Sequence, residues 1–277
     1  MKTIVFYRFL IMLLILPFSH LLLSQETQTG TDYKPSRGQD GKDVIWIPTP
    51  ERNVNNMLDL AGVNRNDFLI DLGSGDGRLV IEAARRGAEA RGIEFNPDMV
   101  EYAKRNAVEN GVSDKVEFIQ GDLFEADLSE ATVITMFLLN SINLRLRPKL
   151  LDLKPGTRIV SNTFDMEEWT PDSTVTMKED CNDFCTALLW IIPARLNGTW
   201  FMNNGILVLD QTFQMFSGTL ITLTDRFRFT DGKLQGDIFS FTHQEEVYYG
   251  RVINNTIEGF ITRGSKCIHW EGKKLHD

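Results

Sequence analysis

Ile70-Asp71-Leu72-Gly73-Ser74-Gly75-Asp76-Gly77-Arg78 is the stretch that decides how the rest of the chain reads. Before it, the apolar run 68–72 has the length and composition of a buried strand. After it, Leu79-Val80-Ile81-Glu82-Ala83-Ala84 opens an amphipathic helix. Glycine at alternate positions of the turn lets the backbone take positive φ and leaves room where a Cβ would stand. The turn runs into a helix N-terminus, whose first N–H groups have no partner within the helix. This is the order of a nucleotide cradle, yet the dinucleotide spacing G-x-G-x-x-G would need glycine at position 78, which is Arg78. Asp71 and Asp76 flank the turn and would repel a pyrophosphate. A ligand with a cationic centre and an amino group suits that charge better.

Outward from the turn, strands and helices alternate, the mark of a parallel sheet with crossovers. Strands are expected at 68–72, 90–95, 116–120, 132–138 and 158–164, with helices at 78–86, 97–110 and 141–151. Runs at 173–179 and 184–192 follow without an intervening helix and should form an antiparallel hairpin. Ahead of the sheet, Thr49 is placed to cap a helix with Pro50 at its first position, carrying Val54, Met57, Leu58 and Ala61 and stopping at Gly62. After Pro193 the helical periodicity disappears. Short β runs remain, with expected turns at Asn203-Asn204-Gly205, Asp231-Gly232, Asn254-Asn255 and Arg263-Gly264. The fold class is therefore α/β, with a seven-stranded Rossmann-like sheet over 44–195. A small antiparallel β-barrel or sandwich follows over 196–277. Its many aromatic residues, Trp200 to Trp270, read as core and cross-strand pairs.

Ligands of such sheets bind beyond the strand C-termini. The second strand ends at Glu94, placed to accept hydrogen bonds from ribose hydroxyls. The third ends Gly121-Asp122-Leu123, an acceptor for an adenine amino group beside an apolar side chain. With Asp71, Gly73, Ser74 and Gly75, these residues point to S-adenosylmethionine, whose sulfonium and α-ammonium carry the positive charge the turn asks for.

Several segments resemble the seven-strand protein-lysine methyltransferases. They are Pro48-Thr49-Pro50, Asp71 to Arg78, Gly121-Asp122-Leu123-Phe124, Leu144 to Leu150 and Lys154-Pro155-Gly156-Thr157-Arg158-Ile159-Val160-Ser161. The similarity is to the archaeal broad-specificity lysine methyltransferases and the mitochondrial enzymes that methylate the ATP synthase c-subunit, and it spans about 44–195. It implies that Pro48 and Thr49 close over the methionine end of the cofactor, and that Gly73, Gly75, Glu94 and Asp122 contact its other parts. Two positions depart from the pattern. Met136-Phe137-Leu138-Leu139 stands where relatives often carry tyrosine, and Asn162 where they often carry histidine.

Methyl transfer from a sulfonium needs mainly alignment. No histidine lies between positions 21 and 242, so no histidine base is available to the sheet domain. Asn140, Asn143, Asn162 and Asp165 can orient an amine or serve as caps and turns, and no residue is assigned as catalytic. No metal set is expected either, since Cys181-x-x-x-Cys185 lacks a second ligand pair. Cys181, Cys185 and Cys267 read as buried free thiols. The net charge of −9 argues against a nucleic-acid partner. A protein lysine is the expected acceptor, with a small molecule or a non-enzymatic binding role as alternatives.

Lys2 and Arg8 precede the apolar run 9–16, and a second apolar patch ends before Ser24. Residues 1–24 therefore read as a secretory signal or an uncleaved anchor, with 9–23 as a membrane tether. The polar stretch 25–43 reads as a disordered linker. The body is expected outside the cytoplasmic membrane, and in the cytoplasm only if this segment does not function.

Overall fold

Leu69, Ile70, Asp71 and Leu72 are all buried in β1 (Phe68–Leu72), as a strand covered on both faces must be. The computed structural model describes residues 33–177, 181–203 and 205–275. The expected signal or anchor lies outside them. Around β1 stand α1 (Glu51–Leu60), α2 (Arg78–Arg85), β2 (Glu89–Glu94), α3 (Pro97–Glu109), β3 (Val116–Gln120) and β4 (Val133–Met136). They are followed by α4 (Asn140–Leu151), β5 (Arg158–Asn162), β6 (Ser173–Thr176) and β7 (Thr186–Ile191). The seven strands run in the order β3-β2-β1-β4-β5-β7-β6. β1 to β5 are mutually parallel, while β7 is antiparallel to both β5 and β6. The order reverses between β1 and β4, which opens a crevice at their C-terminal ends.

One apolar cluster joins α1, α2 and α3 to the sheet through Met57, Leu58, Val80, Ala84 and Ala103. The other joins α4 through Ile142, Leu146 and Leu150 to Trp169 and Trp190. Expected and observed elements agree within a few residues. One cap differs. Pro50 is the N-cap of α1, and its start carries no side-chain capping hydrogen bond. Thr49 is buried instead, and its carbonyl accepts a 2.6 Å hydrogen bond from Arg78 Nη1. The expected linker also differs over 33–43. Tyr33 packs edge-on against Tyr102, its carbonyl accepts from Arg105, and Gly38 and Gln39 pair through backbone with Trp46. Polar composition suggested solvation there, but these residues have specific partners on α3 and in the chain just after them.

The C-terminal part is a closed eight-stranded barrel: β8 (Gly198–Met202), β9 (Gly205–Thr212), β10 (Met215–Thr222), β11 (Arg226–Gln235), β12 (Ile238–His243), β13 (Glu246–Ile253), β14 (Thr256–Arg263) and β15 (Lys266–Lys274). Pairing of β15 with β8 closes it, which removes the sheet edges. Its interior is filled by Trp200, Phe216, Phe229, Phe239, Phe241 and Trp270, while Phe201, Tyr249 and Phe260 face outward. Asp231-Gly232, expected as a turn, lies inside β11. A Cβ on Gly232 would stand 2.4 Å from the Phe216 ring, so this glycine serves packing. The turn falls at Gly236, with φ +64°. Packing, not turn chemistry, placed the glycine.

The barrel is fixed to the sheet at the end remote from the strand C-termini. Gly236 packs on Gly156, which precedes β5, and its carbonyl accepts from Ala194 N–H. Phe213 stacks on Trp169 at 5.5 Å, and Gln214 Nε2 donates to the Thr170 carbonyl at 2.7 Å. The Trp169 carbonyl in turn accepts 2.6 Å from Trp190 Nε1. Among the described residues no helix is long and apolar enough to cross a membrane. Trp169 is fully buried, so Trp169→Ala is expected to destabilise the protein by about 3–5 kcal/mol. Urea unfolding followed by far-UV circular dichroism checks this, and a loss below ~1 kcal/mol would show that Trp169 is not the joint between the two parts.

Candidate active site

The C-terminal ends of β1 to β4 open into a cleft of about 970 Å³, part of it open to solvent. Its floor is the glycine turn. Gly73, Gly75 and Gly77 have φ of +75°, +53° and +82°, and the Ile93 carbonyl accepts from both Gly73 and Ser74 N–H. Gly77 is the N-cap of α2, and a Cβ there would stand 2.7 Å from the Phe118 ring. Only glycine meets both demands. Glu94 holds the turn from the side: its Oε2 accepts Gly75 N–H at 3.0 Å and its Oε1 accepts Asn96 N–H at 2.9 Å.

Arg78, standing where a dinucleotide motif has glycine, grips Asp76 through Nε at 3.0 Å and Nη2 at 2.5 Å. Its Nη1 reaches the Thr49 carbonyl and ties the segment before α1 to the cradle. Asp71 is buried and accepts 2.7 Å from the Thr135 hydroxyl. Burial pushes its carboxyl up to about 7, with Asp76 and Glu94 adding to the effect and the Thr135 hydrogen bond opposing it. A cationic ligand in the cleft would favour the charged form.

The segment 39–49 covers the cleft. Trp46 lies on Gly75 so closely that a Cβ there would stand 2.4 Å from its indole nitrogen. Lys42 Nζ donates 2.6 Å to Asp122 Oδ2 and sits 4.9 Å over the Phe95 ring. The other Asp122 oxygen accepts Phe124 N–H. The Lys42 hydrogen bond, foremost, holds the Asp122 carboxyl below its ordinary value.

Of the residues expected from sequence, Pro48, Thr49, Asp71, Gly73, Ser74, Glu94, Gly121, Asp122 and Leu123 all line this cleft. Gly75 does not, because Trp46 covers it. Sequence reasoning missed Lys42, Trp46 and Phe95. An isolated tryptophan just past a polar stretch was the available signal for this cover. Asn140, Asn143, Asn162 and Asp165 do not line the cleft. Asn140 donates to Asp165. Asn143, fully buried, donates to the Phe164 and Asp165 carbonyls. Asn162, also buried, accepts from Asn53 Nδ2 at 2.9 Å. The cysteines correct the free-thiol expectation. Cys181 and Cys185 form a disulfide, with Cα atoms 5.8 Å apart, and Cys267 is exposed on the barrel. Spacing alone could not show that Cys181 and Cys185 stand close enough to bond.

Sheet order, glycine turn and acid-lined cleft together define a class I methyltransferase, an enzyme that uses S-adenosylmethionine. The model of the ANTKMT methyltransferase domain matches residues 71–173. A protein-lysine N-methyltransferase of Saccharolobus islandicus is 43% identical over 152 residues, which cover 54% of this chain and 94% of that protein. The Rattus norvegicus lysine N-methyltransferase of the ATP synthase c-subunit is 34% identical over 130 residues, 47% of this chain and 60% of its own length. Among solved structures, an RNA methyltransferase from Salinibacter ruber with bound S-adenosyl-L-homocysteine is 55% identical. It has a TM-score of 0.51 and covers 54% of this chain and 96% of its own. The chain belongs to the S-adenosylmethionine-dependent methyltransferase family of that archaeal lysine enzyme. The archaeal and Salinibacter matches each leave nearly half of the chain uncovered.

The raised Asp71 carboxyl has a consequence for stability. Its folded value of about 7 lies above the ordinary 3.8, so the native state holds this proton longer than the unfolded chain does. The stabilisation is complete below about 4 and is lost as pH rises through about 7. The melting temperature of the wild type relative to Asp71→Asn is therefore expected to fall between pH 5 and pH 8. A constant difference across that range would contradict the buried, protonated carboxyl.

Proposed function

We propose that the enzyme methylates the side-chain amine of a protein lysine, outside the cytoplasmic membrane. The observation that carries the acceptor reading is how the cleft is divided. Its acids, Asp71, Glu94 and Asp122, lie at the ends of β1 to β3, whereas its wall beyond β4 is apolar, with Phe137, Leu138 and Ile142. The acidic half suits the cofactor. Glu94 would take the ribose, Asp122 and Leu123 the adenine, and Asp71 with the glycine turn the amino-acid end. When bound, the cofactor supplies an electrophilic methyl group on a sulfonium.

The apolar half takes the place of a general base. A lysine amine at its ordinary pKa costs about 4.6 kcal/mol to deprotonate at pH 7. An apolar channel disfavours the ammonium, and a neighbouring positive charge disfavours it further. The chain's own contribution is to desolvate the amine and align it. The proton leaves to solvent before the amine enters.

Two of the relatives carry lysine methyltransferase names, and the Salinibacter ruber relative carries that of an RNA methyltransferase. The net charge of −9 and the acids around the cleft disfavour a polyanion, so lysine is the better reading. A small-molecule acceptor enclosed partly by the barrel is disfavoured too, because none of the described barrel residues lines the cleft. Support for the compartment comes from the Lys2 to Ser24 pattern and from the Cys181–Cys185 disulfide, a bond that persists in oxidising surroundings. The protein is incubated with methyl-labelled S-adenosylmethionine and separate envelope-protein, total-RNA and small-molecule fractions. Label is expected on protein lysine. Label confined to RNA or to small molecules would overturn the lysine reading.

A further inference from the structure

Three phenylalanines from three different connections meet beside the apolar half of the cleft. Phe137 follows β4, Phe164 follows β5, and Phe184 stands just before β7. Phe137 is 4.9 Å from Phe184 and 6.1 Å from Phe164, centroid to centroid, and Phe164 and Phe184 are 6.1 Å apart. All three residues are half-buried. Of the three, Phe137 alone lines the cleft itself, and the other two pack against its ring.

The backbone that carries two of these rings is strained. Phe184 has φ +57° and Thr163, just before Phe164, has φ +64°. A non-glycine residue in the left-handed region persists only where its surroundings enforce it. The enforcing groups are visible. Thr163 N–H donates to the Thr186 carbonyl at 2.7 Å. Fully buried Asn53 donates from one Nδ2 to both Asn162 Oδ1 at 2.9 Å and the Phe184 carbonyl at 3.1 Å. The Cys181–Cys185 disulfide closes a short loop around Phe184. None of these groups is needed to hold a cofactor over β1 to β3.

We propose that Phe137, Phe164 and Phe184 form the mouth through which the acceptor lysine enters, and that Asn53, Asn162 and the Cys181–Cys185 bond are positioning groups that hold Phe184 in it. This rests on the lysine reading above. Ring faces are negative and apolar together, so they hold both the alkyl stem and the ammonium of an approaching lysine. The disulfide makes the mouth sensitive to reduction. A dithiol delivers two electrons and two protons, the S–S bond breaks to two thiols, and the dithiol closes to its own cyclic disulfide. Phe184 is then held by its carbonyl alone, and the strained loop is free to relax.

The test uses the full chain, labelled S-adenosylmethionine and poly-L-lysine as acceptor. Phe184→Ala is expected to raise the acceptor KM about tenfold, with S-adenosylhomocysteine affinity by calorimetry unchanged within twofold. Phe184→Tyr is expected to restore most of the loss, which a purely structural role would not require. The Cys181→Ser/Cys185→Ser double variant, and wild type reduced by dithiothreitol, should show the same selective rise in acceptor KM. Unchanged acceptor KM in Phe184→Ala and in the double variant, with lysine labelled by the wild type, would overturn the mouth alone. Equal losses of cofactor and acceptor binding would overturn it as well. No labelled lysine with the wild type would overturn the lysine reading and this inference with it.

Discussion

Everything in the cleft depends on one steric constraint: the backbone from Gly73 to Gly77 has to run with positive φ at three positions while a strand and an aromatic cover press on it. Trp46 lies where a Cβ on Gly75 would be, and the Phe118 ring lies where a Cβ on Gly77 would be. Removing side chains from the turn brings α2, β2 and the 39–49 cover within contact of the same few atoms. Glu94 can then reach back to Gly75 N–H, and Arg78 can reach both Asp76 and Thr49. The acids are gathered because the turn is thin.

The acids also set the chemistry. Asp71, Asp76, Glu94 and Asp122 gather within one cleft, and two of them already have a cationic partner, Arg78 and Lys42. Asp71 is left with a hydroxyl partner and a raised pKa. That charge pattern selects a cationic cofactor over a pyrophosphate. The Lys42–Asp122 pair adds a second feature, because the ring of Phe95 and the carboxylate of Asp122 lie under the same lysine. The cover thus touches the end of β3 through Lys42 and the turn through Trp46.

The parallel sheet was legible because its signals are local. Apolar runs, glycines and the helix starts lie within a few residues of each element they define, and β1, β3 and the hairpin fell where the pattern put them. The cleft acids were legible for a related reason, since each lies at or soon after the C-terminal end of a strand, where such sheets bind ligands. What was not legible depends on distant partners. Residues 33–43 looked solvated because Asp122, Arg105 and Tyr102 lie far along the chain. Gly232 looked like a turn because the Phe216 ring that needs its space is on another strand. The disulfide depends on how the backbone turns between Cys181 and Cys185, and Asn162 on a partner in α1. The barrel's class was readable from its strand runs, but its closure by β15 and β8 and its seat on Trp169 and Gly156 were not.

The barrel sits away from the strand C-termini, so cofactor chemistry and barrel contacts occupy opposite ends of the sheet. On the function proposed above, the glycine turn and Glu94 together hold S-adenosylmethionine. The most direct measurement is calorimetric titration of the wild type and of Glu94→Ala with S-adenosylmethionine. Loss of a charged hydrogen-bond acceptor is worth roughly 1.5–3 kcal/mol, so saturable one-site binding by the wild type and an affinity about ten- to a hundredfold weaker in the variant are expected. Equal affinities, or no heat from the wild type at millimolar cofactor, would contradict it.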